Sequence, residues 1–246
     1  MAVIAGNWKM HMASDQALGF LADLDLGGVS ESHEILLFPS AIHLAALAAS
    51  GARDPRVQLG LQNIYWEDEG AFTGELSARM ASEAGANFVL IGHSERRHVF
   101  GETDEEVARK VKAARRHNLI PVICVGETLE ERRAGHVEEV ILRQLNAVIR
   151  DLSLGRALIA YEPVWAIGTG ETATPEDASL AHKTLREGLS QVLGAEKARA
   201  IAILYGGSVK PSNAGDLLSV ANVDGVLVGG ASLDPRSFKE IAAAAS

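Results

Sequence analysis

The chain has 246 residues, enough to bury a sizeable core, and its 47% hydrophobic content with only 7 prolines marks an ordered globular protein rather than a disordered or fibrous one. A formal net charge of −9 argues against nucleic acid or an anionic membrane surface as the main partner, because both are bound through clustered basic residues. No apolar run approaches the roughly 20 residues that span a bilayer, and a single cysteine, Cys124, excludes an internal disulfide and fits a reducing, cytoplasmic setting.

The first apolar run, at 3–6, has no basic leader before it and reads as a strand rather than a signal peptide. Short apolar runs then recur at 35–38, 57–61, 88–91, 121–125, 158–161, 201–205 and 226–228. Between them lie amphipathic stretches at 17–24, 44–49, 77–84, 105–116, 129–152, 175–193, 211–220 and 235–244. Thr103, Thr128, Thr174 and Asp234 stand as N-caps, and Pro175 and Pro235 at first helical positions. The strands are apolar on both faces, as a parallel sheet covered by helices requires. Eight strand–helix units predict an α/β fold of the closed (β/α)8 type, one domain over 1–246. A doubly wound open sheet is the alternative, weakened by the lack of a Gly-x-Gly-x-x-Gly after the first strand.

In such a barrel the working residues sit where strands end, on the loops at the C-terminal face. The sixth run ends on Glu162, followed by Pro163-Val164-Trp165-Ala166-Ile167-Gly168-Thr169-Gly170. Burial of this carboxylate predicts a raised pKa and a usable base near neutral pH. Pro163 fixes one backbone angle, Trp165 adds apolar bulk, and Gly168 and Gly170 permit unusual angles, so the segment reads as a lid. An ordinary strand end with a helix-capping acid fits the same letters. Asn7-Trp8-Lys9 follows the first strand, and Lys9 offers a cation for a developing oxyanion or is merely a solvated lysine. Gly92-His93-Ser94-Glu95-Arg96-Arg97 follows the fourth, and the positive end of a short helix opening at Ser94 would disfavour an imidazolium at His93. Gly206-Gly207-Ser208 and Gly229-Gly230-Ala231-Ser232 follow the last two, as turns whose amides can approach a phosphate or as simple tight connections.

Seven motifs occur in order: Gly6-Asn7-Trp8-Lys9; Gln62-Asn63 with Gly70 to Glu75; Gly92 to Arg97; Cys124-Val125-Gly126-Glu127; Tyr161 to Gly170; Tyr205 to Ser208; and Val228 to Ala231. On these the chain closely resembles the triosephosphate isomerases over its whole length. The resemblance implies interconversion of dihydroxyacetone phosphate and D-glyceraldehyde 3-phosphate through an enediolate, in glycolysis and gluconeogenesis. It gives Glu162 the role of base, His93 that of electrophile and proton carrier, Lys9 that of charge stabiliser and Asn7 a part in binding the substrate oxygens. The neutral histidine opposite a carboxylate base is a recognised pattern for that family. Phosphate contacts carry over to Gly168, Ser208, Gly229 and Gly230, and Glu95 to a supporting place beside the lysine. Trp165 and Ile167 would form a dry cover. Neither a metal nor another cofactor is implied, and the histidines lack ligand spacing.

The long loop 62–74 carries Tyr65, Trp66 and Phe72, and exposed aromatics on a long loop suggest a partner surface. The resemblance implies a homodimer in which this loop, with Thr73 at its tip, enters the neighbouring subunit. His11 departs from the family's usual asparagine beside Met10, and Glu171 from a lysine common at the end of the lid. Cys124 matches a cysteine inside the family's barrel, where packing is its expected role.

Overall fold

Each of the eight apolar runs forms a strand in the computed structural model, which describes residues 1–167 and 173–245. These are β1 Val3–Asn7, β2 Glu34–Phe38, β3 Val57–Leu61, β4 Phe88–Ile91, β5 Ile120–Val125, β6 Leu158–Tyr161, β7 Ala202–Tyr205 and β8 Gly225–Val228. All neighbours are parallel in sequence order. The sheet closes because β8 returns to β1, Val3 pairing with Gly225 and Gly6 with Val228. Closure satisfies every strand edge, and the open-sheet alternative is ruled out.

The pleat sorts side chains into two apolar layers. On β4, Phe88 and Leu90 point into the barrel with Leu36, Phe38, Val122, Cys124, Leu158 and Leu204. Val89 and Ile91 face outward into the larger layer beneath the helices. This two-sided burial explains why the strands read as unbroken apolar runs. Cys124 belongs to the inner layer, where burial first, and then the nearby Glu162 charge, push its thiol pKa well up, so it serves as packing.

The helical ends follow the caps. Thr103, Thr128 and Thr174 accept from the backbone of Glu106, Glu131 and Asp177, whose side chains bond back to complete capping boxes. Asp234 accepts from Ser237 N. The stretch 129–152, expected as one helix, is three: Leu129–Arg133, Val137–Asn146 and Ile149–Leu152. Gly135, at φ 78°, stops the first, and Val148 leaves helical geometry between the other two. The second and third segments share a buried apolar series, Val140, Ile141, Leu145, Ile149 and Leu152, whereas Leu129–Arg133 buries none of its side chains. The short helix expected to open at Ser94 runs over Ser94–Phe100, and one further helix, Ala195–Ala200, supplements the expected set. His33 ties the ends of the chain together, with Nδ1 accepting from Ala2 N at 3.1 Å and Nε2 donating to Ala245 O at 3.0 Å. No described helix is long and apolar enough to cross a membrane.

Candidate active site

The ends of β1, β4, β6, β7 and β8 surround one cavity of about 410 Å³, within the range of small-ligand sites. Asn7, Lys9, His93, Glu162, Ser208, Gly229 and Gly230 all line it, as sequence reasoning placed them. His11, Ile167 and Lys210 line it too. Gly168 and Glu171 lie outside the described residues. Thr73 is exposed and does not line this cavity.

Lys9 is delivered by an unusual backbone. Its φ of 53° is left-handed, which costs a residue with a Cβ about 1–2 kcal/mol. Neighbouring elements hold it there: its amide donates to Asn7 Oδ1 at 3.0 Å, and its carbonyl accepts from Gln62 Nε2 at 2.8 Å and Ser40 Oγ at 3.1 Å. The side chain then reaches Glu95, Nζ to Oε1 at 2.6 Å, so the acid in the first turn of Ser94–Phe100 orients the lysine. Sequence reasoning gave Gln62 and Ser40 no role, because their work is to fix another residue's backbone. The only signal was the Gln62-Asn63 pair at the end of β3.

His93 is the N-cap of that short helix, and its Nδ1 accepts the Glu95 amide proton at 3.2 Å. With the Nδ1 lone pair so occupied, the ring proton sits on Nε2, which donates to Glu162 Oε1 at 2.9 Å. Burial works against charge on this ring, while the Glu162 carboxylate beside it works the other way and leaves its proton affinity raised. A second proton would have to displace the Glu95 amide, so the neutral Nε2–H form is the one this geometry holds. A direct hydrogen bond, rather than the field of a seven-residue helix, does the selecting.

Glu162 is 2% exposed, and the expectation that burial would raise its pKa is corrected here. Burial does push it up, but His93, first through its charge when protonated and then through its hydrogen bond, the Ser94 amide donating to Oε2 at 2.8 Å, and the Lys9 charge outweigh it and hold the pKa below the usual carboxylate value. Both oxygens are engaged by donors from the β4 loop. The backbone here also demands glycine neighbours: a Cβ on Gly126 would stand 1.7 Å from the Glu162 carbonyl oxygen, and one on Gly206 would stand 2.9 Å from its Cγ. Gly126→Ala is therefore expected to displace the Glu162 backbone and to lower stability by at least the roughly 1–3 kcal/mol of core overpacking. Wild-type melting and activity in that variant would show the strand ends to be looser than this.

The start of the lid is anchored to Glu127, a fully buried carboxylate at the end of β5. It accepts from Trp165 Nε1 at 2.8 Å and from Tyr161 Oη at 3.0 Å, and Arg132 lies over the Trp165 ring at 4.5 Å. Glu127 shows nearly the same signal that drew attention to Glu162, an acid separated by one residue from the end of a buried strand, yet sequence reasoning gave it no role. Trp165 is thus bound down through its nitrogen, and among the described lid residues it is Ile167 that lines the cavity.

In loop 62–74 the aromatics are less exposed than expected. Tyr65 stacks on Trp66 with centroids 4.0 Å apart, Phe72 leans on Tyr65 at 4.6 Å, and Phe72 alone of the three is clearly exposed, at 39%. Among the described residues no three of His, Cys, Asp or Glu stand close enough to hold a metal ion.

A family model described as triosephosphate isomerase matches residues 2–245. The chain belongs to the triosephosphate isomerase family. Similar proteins of that name include one from Rhodopirellula baltica, 47% identical over 99% of this chain and 97% of its own length. Another, from Moorella thermoacetica, is 48% identical over 97% of this chain and 96% of its own. A third, from Symbiobacterium thermophilum, is 47% identical over 99% and 96%. Identity at this level over full lengths fits the unbroken run of triosephosphate isomerase motifs through the loops around the cavity.

Proposed function

We propose that this chain interconverts dihydroxyacetone phosphate and D-glyceraldehyde 3-phosphate, a step of glycolysis and gluconeogenesis, as a single catalytic domain in the cytoplasm. The observation that carries the reading is the convergence of Lys9, His93 and Glu162 on a small cavity backed by two glycine turns, in a chain of this family. Glu162 removes the proton from C1 of dihydroxyacetone phosphate, the C–H electrons form the C1=C2 double bond, and the carbonyl π pair moves onto the C2 oxygen. His93 Nε2–H is the donor for that oxygen, and Lys9 balances the charge that develops. Return of a proton to C2, with His93 shifting the hydroxyl proton from one oxygen to the other, yields the aldehyde. The same Nε2–H that polarises the substrate carbonyl is bonded to Glu162 in this arrangement. A substrate oxygen that takes the proton frees one carboxylate oxygen and removes the main influence holding its pKa down, so binding sharpens the base.

Ser208, Gly229 and Gly230, with Gly168 from the lid, receive the phosphate through backbone amides. Lid closure would exclude water, strengthening these interactions and protecting the enediolate from losing phosphate. A coupled assay on the purified protein, following glyceraldehyde 3-phosphate, tests the reading; activity no higher than background sinks it. In that assay Lys9→Ala is expected to lower kcat by about 10²-fold or more, as loss of an oxyanion donor does.

The working unit we infer is a homodimer in which the exposed segment around Phe72 and Thr73 enters a second copy. Sedimentation over a range of concentrations is expected to give twice the mass of 26.1 kDa, and a Thr73→Arg variant to shift toward the monomer. A wild-type monomer at micromolar concentration would contradict this.

A further inference from the structure

The protein carries a net charge of −9, yet the substrate of the proposed reaction is a phosphate ester that is largely dianionic at neutral pH. Approach of such an anion is opposed by the overall field and needs positive potential at the mouth of the cavity. Lys9 supplies little of it at a distance, because its charge is matched by Glu95 at 2.6 Å. Glu162 adds a negative charge of its own. Among the described residues that line the cavity, Lys210 is the remaining lysine, and there is no arginine. Its side chain is exposed, and it forms no ion pair among the described residues. Its backbone is fixed, with the amide donating to Asn213 Oδ1 at 2.8 Å while Asn213 Nδ2 donates to Ser208 O at 3.1 Å. The lysine is thereby tied to the turn proposed to receive the phosphate.

From this we propose that Lys210 is a substrate-binding residue of the site: an uncompensated cation at the phosphate end that captures the dianionic substrate and sets the ionic-strength dependence of the reaction. It takes no part in proton transfer. The inference rests on the triose phosphate reading above and extends it to a residue that reading does not assign. The charge difference it makes is local, so the same charge removed from elsewhere should not reproduce the effect. Lys112, exposed on another face in a groove beside Trp66 and Arg116, provides that comparison.

The test is steady-state kinetics at one fixed pH. At about 10 mM ionic strength, where charges act over about 30 Å, Lys210→Gln should lower kcat/KM for glyceraldehyde 3-phosphate by about threefold to tenfold. KM should carry the change. Lys210→Glu should lower it further, Lys210→Arg should restore it, and the differences should shrink near 1 M, where screening cuts the range to about 3 Å. Lys112→Gln should match wild type, and unphosphorylated D-glyceraldehyde should be turned over equally by wild type and Lys210→Gln. A second readout is free of turnover: inorganic phosphate titrated calorimetrically into each protein at low salt should bind more weakly to Lys210→Gln by a similar factor. With an active wild type, equal effects of the Lys210 and Lys112 variants, or an equal loss with D-glyceraldehyde, overturn the proposal. With an inactive wild type the functional reading fails by itself, the phosphate titration decides for Lys210, and equal or absent binding overturns it.

Discussion

Glu162→Gln is expected to fold as the wild type does and to lose turnover by about 10²–10⁴-fold, the contribution of a positioned general base. The amide has the size of the carboxylate, and its oxygen can still accept one of the two donors now engaged, Ser94 N or His93 Nε2. The other donor would face an NH₂ group, so a stability loss of about 1 kcal/mol is expected, far too small to explain the fall in rate. What the amide cannot do is take a proton from carbon. Glu162→Asp separates chemistry from geometry, because it keeps the base but withdraws it by one methylene. A misplacement of about 1 Å costs about 10²-fold. The measurements are kcat in the coupled assay and the thermal midpoint of each protein. Wild-type turnover in Glu162→Gln would mean that the base is another residue.

The second large effect concerns stability and is independent of catalysis. His182 is 0% exposed, and its Nδ1 donates to Asn222 O at 2.9 Å while Nε2 has no partner among the described residues. Burial, aided by the Arg186 charge and opposed by the Asn222 bond, holds its pKa down to about 4, against 6.5 for an ordinary histidine. The native state thus takes up this proton less readily than the unfolded chain. At pH above about 6.5 neither state is protonated at this site and nothing is lost. As pH falls toward 4 the unfolded chain binds the proton and the native state resists, so stability declines by about 3 kcal/mol across that window and levels off below it. Denaturant unfolding of wild type and His182→Gln at pH 7.5 and pH 4.5 measures the effect. The wild type should lose more stability between the two pH values than the variant, by about 2–3 kcal/mol. Equal pH dependence would mean that the ring is charged in the native protein or reached by water. The position is a consequence of packing against Tyr161 and Tyr205, whose rings lie 5.9 and 6.5 Å from the imidazole.

The strands were legible because both faces of a closed parallel sheet are buried, which writes each strand as a run of apolar residues. Helix starts were legible because the cap and its partner lie three residues apart, as at Thr103 and Glu106. The helix interruptions at Gly135 and Val148 were not, because buried apolar residues run on from Val140 to Leu152 through the second break, and the first adjoins a segment, Leu129–Arg133, that buries nothing. Lys9, His93 and Glu162 stood out as polar residues at the ends of buried strands. Glu127 met the same criterion and was passed over, since its donors, Trp165 and Tyr161, come from a strand and loop further along the chain.

Residue order alone therefore dictates where the eight strands fall, where the capped helices start, and which side chains stand at the strand ends, because these depend on hydrogen bonding and apolar spacing within a few residues. Only the closed barrel decides the state of those side chains. The proton affinity of Glu162 depends on a backbone amide 68 residues away, the tautomer of His93 on the turn that follows it, and the left-handed backbone of Lys9 on a glutamine from β3's loop. Burial by itself pointed to a raised Glu162 pKa, and the donors that the fold brings to the carboxylate reverse that direction.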